Sequence, residues 1–307
     1  MRTVLTDIRS AFEHHIDAYG GDLPTEPAEP DTGIVSTMND NEERQQDDAD
    51  APRENAGPMP AILVNTAPLN TAPLQTAPLN KASLNTISIE SPYDRIAGQI
   101  PADSPLHNLD GLDAVADYVR NARLIDLDET RLNPVFGVGH PDADLMVIGE
   151  APGADEDAKG EPFVGRAGKL LTQILQATGF ERDDVYIANI LKSRPPDNRP
   201  PRPDEIEAHV PILYKQIALI KPKVILCVGK TSGTSLLGLK SSLADMRSKF
   251  HDFHGLPVMV TYHPAALLRN PNWKRPTWED MQQLRDYYKE IGGRPTGETK
   301  VDAGQSR

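Results

Sequence analysis

From residue 110 onward the chain repeats one pattern: a short apolar run, a polar loop containing Gly or Pro, then a longer amphipathic segment. The apolar runs fall at 145–149, 185–190, 223–228 and 257–262. Runs this short, rich in Val and Ile and bounded by turn residues, fit strands buried on both faces. The stretches near 111–123, 166–178, 203–220, 230–238 and 276–291 carry apolar residues at helical spacing. This alternation predicts an α/β domain of three layers, α/β/α, around a central, mainly parallel four-stranded sheet. Right-handed crossovers bring the C-terminal end of every parallel strand to one edge. Open α/β sheets bind ligands there, because the loops leaving that edge expose backbone amides and polar side chains.

Composition separates this domain from what precedes it. The chain has 307 residues and a formal net charge of −13. Residues 21–58 hold eleven Asp or Glu and two Arg, hence −9 of that charge. The acidity therefore belongs mainly to this segment and does not argue against a nucleic-acid partner for the rest. Residues 64–85 repeat a five-residue unit as TAPLN, TAPLQ, TAPLN and KASLN. Pro opposes helix and the scarcity of aromatics offers no core, so residues 21–105 read as a disordered linker. Ahead of it, Val4, Leu5, Ile8, Phe12 and Ile16 follow helical spacing within residues 1–20. Such a helix could dock on its own protein or bind a protein partner from the end of a tether. The domain proper is drawn at 106–292 and residues 293–307 as a flexible tail. No run approaches the roughly 20 apolar residues that span a bilayer, and the N-terminal segment is too polar for a signal peptide. A soluble, cytoplasmic, monomeric protein with no membrane partner is expected. Cys227 is the only cysteine, which excludes an internal disulfide and any cluster held by several thiolates. Its place inside the run 224–228 reads as core.

Three segments follow strand-like runs and can converge on one pocket: GEAPGADEDAKGEPFVGRAG (149–168), ANILKSRPPDNRPP (188–201) and TYHPAALLRNP (261–271). The first does not suit a dinucleotide, because it lacks GxGxxG and carries too many carboxylates to cradle a pyrophosphate. Together, in this order, the three resemble the motifs of the family-four (thermophile-type) uracil-DNA glycosylases, over roughly residues 110–292. The resemblance implies a monofunctional enzyme of base-excision repair. It would hydrolyse the N-glycosidic bond of uracil in single- or double-stranded DNA and leave an abasic site, without a metal or other cofactor in the chemistry. The alternative is a catalytically weak protein that binds uracil-containing or abasic DNA and recruits a partner through its N-terminal tail.

Excision requires a nucleotide rotated out of the stack into a pocket that reads its edge. Phe163 is an aromatic in a Gly-rich loop; alone it could be a core anchor, and the resemblance implies stacking on the flipped pyrimidine, beside the backbone turn at Ala151. Asn189 could cap a turn, and the resemblance makes it the pyrimidine reader. Its carbonyl would accept from uracil N3 and its amide would donate to O4, a pattern that cytosine reverses. His263 precedes Pro264, which keeps its backbone extended; it matches the family's contact to uracil O2, where charge grows as the base leaves. Glu150 and Glu156 are the carboxylates available to orient water or offset charge on the sugar, because Ala151 stands where the wider superfamily has Asp.

DNA contact is implied by Lys192, Arg194, Arg199 and Arg202 in the second segment and by Arg269, Lys274 and Arg275 after the third. Leu267 falls at the wedge position that fills the gap left by the flipped base. Family-four enzymes carry an iron–sulfur cluster on four Cys. Here Ala122, Ile125, Ser193 and His209 fall at those places, so no thiolate remains, and a cluster cannot be held by Ala and Ile. Apolar packing by Ala122, Leu124 and Ile125 is expected in its stead.

Overall fold

The computed structural model describes residues 90–293. The expected N-terminal helix, most of the expected linker and nearly all of the tail lie outside the described residues. Six strands form one sheet: β1 (Val138–Gly139), β2 (Leu145–Gly149), β3 (Tyr186–Asn189), β4 (Val224–Val228), β5 (Phe250–Phe253) and β6 (Leu256–Thr261). The order is β1-β3-β2-β4-β6-β5. The four central strands are mutually parallel, and β1 and β5 pair antiparallel at the two edges. Four strands were expected, and the two additional ones are short. β1 is two residues long and half Gly, while β5 alternates no clear apolar face. β5 and β6 are joined through His254 and Gly255, both at positive φ (56° and 93°), as the twist of a tight hairpin requires.

Around the sheet lie α1 (Pro92–Ala97), α2 (Leu112–Asn121), α3 (Leu127–Thr130), α4 (Ala154–Lys159), α5 (Arg166–Ala177), α6 (Pro203–Ile220), α7 (Lys230–Leu237), α8 (Leu243–Met246), α9 (Pro264–Arg269) and α10 (Lys274–Glu290). The strands' period of two sorts their side chains onto two faces. Met146, Ile148, Ala188, Ile225, Cys227, Val258 and Val260 pack with Leu213 and Ile217 of α6. Leu145, Val147, Ile187, Leu226 and Met259 pack with Leu171 and Leu175 of α5 and Met281 and Leu284 of α10. Each of the fully buried Val, Leu, Ile and Met side chains among these contributes about 1.5–3 kcal/mol relative to exposure. The fold is the expected three-layer α/β/α arrangement. No helix among the described residues is long and apolar enough to cross a membrane.

The folded part begins earlier than residue 106. Ser91, Pro92 and Asp94 start α1 with a capping box, Asp94 N to Ser91 Oγ and Ser91 N to Asp94 Oδ2 both 3.2 Å. Ile96 and Ile100 are buried (0% and 4% exposed), and Tyr93 Oη donates to the Pro222 carbonyl just beyond α6 (3.0 Å). The linker drawn to 105 is therefore corrected for residues 91–105. The Pro-rich composition upstream masked a short but well-capped helix.

Candidate active site

Gly149 ends β2 directly opposite Asn189, which ends β3. A Cβ on Gly149 would lie 2.3 Å from Asn189 Oδ1 and 2.6 Å from Phe163 Cζ. The missing side chain is what lets the amide and the ring meet at the strand ends. Phe163 is held there in a left-handed backbone (φ 53°) that bulky residues rarely adopt. Its loop is tied down by Arg182 Nη2, which donates to the Pro162 carbonyl (2.8 Å). Gly168 makes room beneath, since a Cβ there would sit 1.8 Å from Phe163 O. Asn189 follows the face of Ile187, where every neighbour is apolar. It is 2% exposed, and its Oδ1 is buried with no hydrogen-bond partner among the described residues. An orphaned buried acceptor costs about 1–3 kcal/mol, so a ligand N–H that fills it is strongly favoured.

His263 follows β6 and caps the N-terminus of α9, its Nδ1 accepting from Ala265 N (3.1 Å). That bond leaves the proton of the neutral ring on Nε2. Burial, then the nearby Arg269 charge, hold the imidazole pKa down at about 4, opposed by Glu156. The ring lies 5.6 Å from that of Phe163. Gly229 backs it, because a Cβ there would be 3.3 Å from His263 Cβ. His263, Phe163 and Asn189 thus come together at one edge of the sheet.

The two glutamates separate by their bonding. Glu156 Oε2 accepts from Gly153 N (3.1 Å), and Oε1 accepts from Val164 N and Gly165 N (2.9 and 3.1 Å). Three backbone amides fix this carboxylate, which ties the start of α4 to the Phe163 loop. Glu150 directly follows β2, half-buried beside Ala151; its carboxylate takes no hydrogen bond from any described residue.

The basic residues expected on the loop after β3 divide sharply. Lys192 is fully buried and donates to the Asn189 carbonyl (2.8 Å) and Gln216 Oε1 (2.7 Å), so it cannot reach a phosphate and that assignment is corrected. The sequence showed only a Lys in a basic, Pro-rich stretch. Arg199 makes a two-point ion pair with the buried Glu205 (2.6 and 2.9 Å), while Arg202 also reaches Glu205 (3.2 Å). Glu205 is held at a pKa of about 2, first by Arg199. Arg194 is half-buried and donates to Asn198 Oδ1 (2.8 Å).

On the other side, Leu267 is 1% exposed and packs in the core, whereas Leu268 is 45% exposed. Leu267 therefore cannot be the wedge expected of it, and the exposed leucine of α9 is its neighbour Leu268, a matter of helix phase. Arg269 is exposed beside it. Behind them, Tyr262 stacks on Trp273 (4.9 Å, 5°), and Arg247 lies 4.2 Å from the Tyr262 ring centre. Arg247 is itself held by the buried Asp280 (2.8 Å), which also accepts from Thr261 (2.6 Å).

The expected apolar substitute for a cluster holds residues 119–131 only in part, through Ile125, which packs against the core. Leu124 is exposed at 36%. Instead Asp128 Oδ1 is shared by Ser193 Oγ, Arg131 Nη1 (3.1 Å) and His209 Nε2 (3.0 Å), and its Oδ2 accepts from Leu124 N (2.8 Å). Arg131 spans to the Val119 and Ala122 carbonyls (2.5 and 2.9 Å). These hydrogen bonds, against the cost of burial, hold the Asp128 carboxyl well below the usual carboxylate range. Two of the four positions aligned with cluster ligands, Ser193 and His209, belong to this polar knot. The chain's single thiol, Cys227, is buried in β4 with its pKa pushed up by burial. Among the described residues no group of three or more His, Cys, Asp or Glu is placed to hold a metal, so these residues do not fit an iron–sulfur cluster.

An aromatic ring, a buried amide and an imidazole thus converge at the C-terminal edge of the parallel strands, an arrangement able to meet a planar heterocycle with an N–H donor. The family described as Uracil DNA glycosylase superfamily matches residues 136–282. The chain is 39% identical to the Type-4 uracil-DNA glycosylase of Archaeoglobus fulgidus over 184 residues, 57% of this chain and 92% of that protein. It is 42% identical to that of Saccharolobus solfataricus over 187 residues, 58% and 87% of the two chains. Against that of Thermotoga maritima it is 39% identical over 185 residues, 59% and 96%. The chain belongs to the uracil-DNA glycosylase superfamily.

Proposed function

We propose that this protein is a monofunctional uracil-DNA glycosylase of DNA repair, hydrolysing the N-glycosidic bond of uracil in DNA and leaving an abasic site. The observation that carries the reading is the buried, unpartnered Asn189 Oδ1 set beside the Phe163 ring. A flipped uracil stacked on Phe163 offers its N3–H to that oxygen. Cytosine presents a lone pair at N3 and would leave two acceptors facing each other, which such sites reject strongly.

As the C1′–N1 bond breaks, its electron pair leaves with the base and charge accumulates on O2. His263, neutral with its proton on Nε2, donates to that oxygen, a role worth about 10²–10³-fold where comparable donors have been removed. The sugar becomes cationic and is attacked by water at C1′. Glu150, whose carboxylate accepts no hydrogen bond from the described residues, orients that water and takes its proton. Glu156, fixed by three amides, shapes the loop and adds negative charge near the sugar. Leu268 fills the gap left by the flipped nucleotide, and Arg269, with Lys274 and Arg275, holds phosphates in register. The protein acts as a monomer in the cytoplasm.

An end-labelled oligonucleotide with one uracil, treated with hot alkali after incubation, tests this. Cleavage is expected at uracil opposite G, opposite A or in single strands, and none at thymine or cytosine. Absence of product from every substrate at stoichiometric protein would overturn the reading.

A further inference from the structure

Lys192 is among the largest fully buried side chains of the protein. Its Nζ reaches back three residues to the Asn189 carbonyl and across to Gln216 Oε1. Gln216 is fastened in turn, its Nε2 donating to the Phe136 carbonyl (3.0 Å) and to Tyr186 Oη (3.2 Å). Tyr186 lies on β3, the strand that Asn189 ends. A closed path therefore runs from the start of β3 through Gln216 and Lys192 to the residue beside the base. We propose that Lys192 is a positioning residue for base readout: by fixing the Asn189 carbonyl it sets the aim of the Asn189 amide. This rests on the reading of Asn189 as the residue that meets the base.

The chemistry suits a fixed strut rather than a charge. Both acceptors are neutral, and a neutral amine has two N–H donors, one for each. Burial pushes the Lys192 pKa down to about 7, so the uncharged amine is accessible near neutrality and no carboxylate partner is needed. Among the described residues no hydrogen bond reaches the Asn189 Oδ1, so its backbone and packing are what aim it. A displacement of about 1 Å at a reacting centre can cost 10²-fold in rate.

The test is a double-variant cycle on the full chain, read by single-turnover excision at saturating enzyme and by affinity for duplex carrying a tetrahydrofuran abasic analogue. Lys192→Met should slow excision about 10- to 100-fold while leaving analogue affinity unchanged, because the analogue has no base to read. In an Asn189→Ala background, Lys192→Met should cause no further slowing, since it acts through the residue already removed. A merely structural role would instead lower the melting temperature and the active fraction, and would move affinity with rate. Losses that multiply in the double variant, or a Lys192→Met enzyme as fast as wild type, overturn the proposal. An Asn189→Ala enzyme with unchanged excision sinks the reading of Asn189 and this proposal with it. If Lys192→Met does not fold, Gln216→Met, which loosens the same path from its far end, carries the cycle with a smaller loss expected in the same pattern.

Discussion

The segment after β3 and the segment after β6 flank the same pocket, yet they are held by different physics. Behind Asn189, residues 190–205 are fastened by buried polar groups: Lys192 to Gln216, Ser193 to Asp128, Arg199 to Glu205. Behind His263, one buried carboxylate, Asp280, binds Thr261 and Arg247, but the segment after β6 itself is held mainly by a ring stack and helix packing and presents Leu268 and Arg269 outward. Buried hydrogen bonds specify one geometry, because any alternative leaves polar groups unpaired. Ring stacks and helix ends tolerate small shifts. On the proposed function, the side that would read the base is thus built for aim, and the side that would face DNA for contact with a partner whose backbone varies.

This contrast can be broken most forcefully from a distance. The β3 side rests on α6, and α6 rests on α1. A fragment starting at residue 90 should fold and keep excision. One starting at 106 loses the burial of Ile96 and Ile100, about 1.5–3 kcal/mol each, and should unfold or melt far lower by circular dichroism; equal melting temperatures would show that α1 is dispensable. Asp128→Ala strands Arg131 and His209 in the interior and should cost about 3–5 kcal/mol in a denaturant titration. A loss below about 1 kcal/mol would mean that the knot bears little of the fold.

On the β6 side, substitutions should separate stability from function. His263→Ala is expected to slow excision by about 10²-fold or more with little change in melting. Leu267→Ala should cost about 2–5 kcal/mol of stability, whereas Leu268→Ala should leave stability intact and weaken excision from duplex more than from single strands. The reverse ranking of the two leucines would restore the wedge to Leu267. The smallest effect is with pH. His263 titrates near 4 in the folded protein against 6.5 ordinarily, so between those values the unfolded chain binds the proton and the native one does not. The native state is therefore penalised as pH falls through that window and free of this penalty above it. The single-turnover rate should stay level through pH 6.5 and fall only as pH approaches 4. A midpoint near 6.5 would show an imidazole open to solvent.

Much of this architecture is legible in the residues because strong local signals and burial agree. The runs 145–149 and 224–228 carry no polar side chain and became central strands, and the long helices carry clear apolar stripes. The edge strands escaped because Val138–Gly139 is too short for any period and Phe250–Phe253 mixes polar and apolar residues. The α1 helix was written in Ser91-Pro92-Tyr93-Asp94, a capping box obscured by the composition around it. At the candidate site, Phe163, Asn189 and His263 were singled out by the order of three motifs, and the fold brings them to one edge of the sheet. Lys192 and Leu267 were misplaced because exposure depends on helix phase and on partners such as Gln216, 24 residues away. The Asp128–His209 contact spans 81 residues, and no local pattern announces it.

Cys227 gives the molecule a practical property. The chain has one thiol, with no solvent exposure, and burial keeps it protonated, so alkylating dyes and mild oxidants should pass it by. The native protein is consequently a ready-made blank for site-specific labelling: a single Leu268→Cys substitution would place one reactive handle on the exposed side of α9, and fluorescence from a dye there would report the proposed insertion into the duplex in real time without any background cysteine to remove.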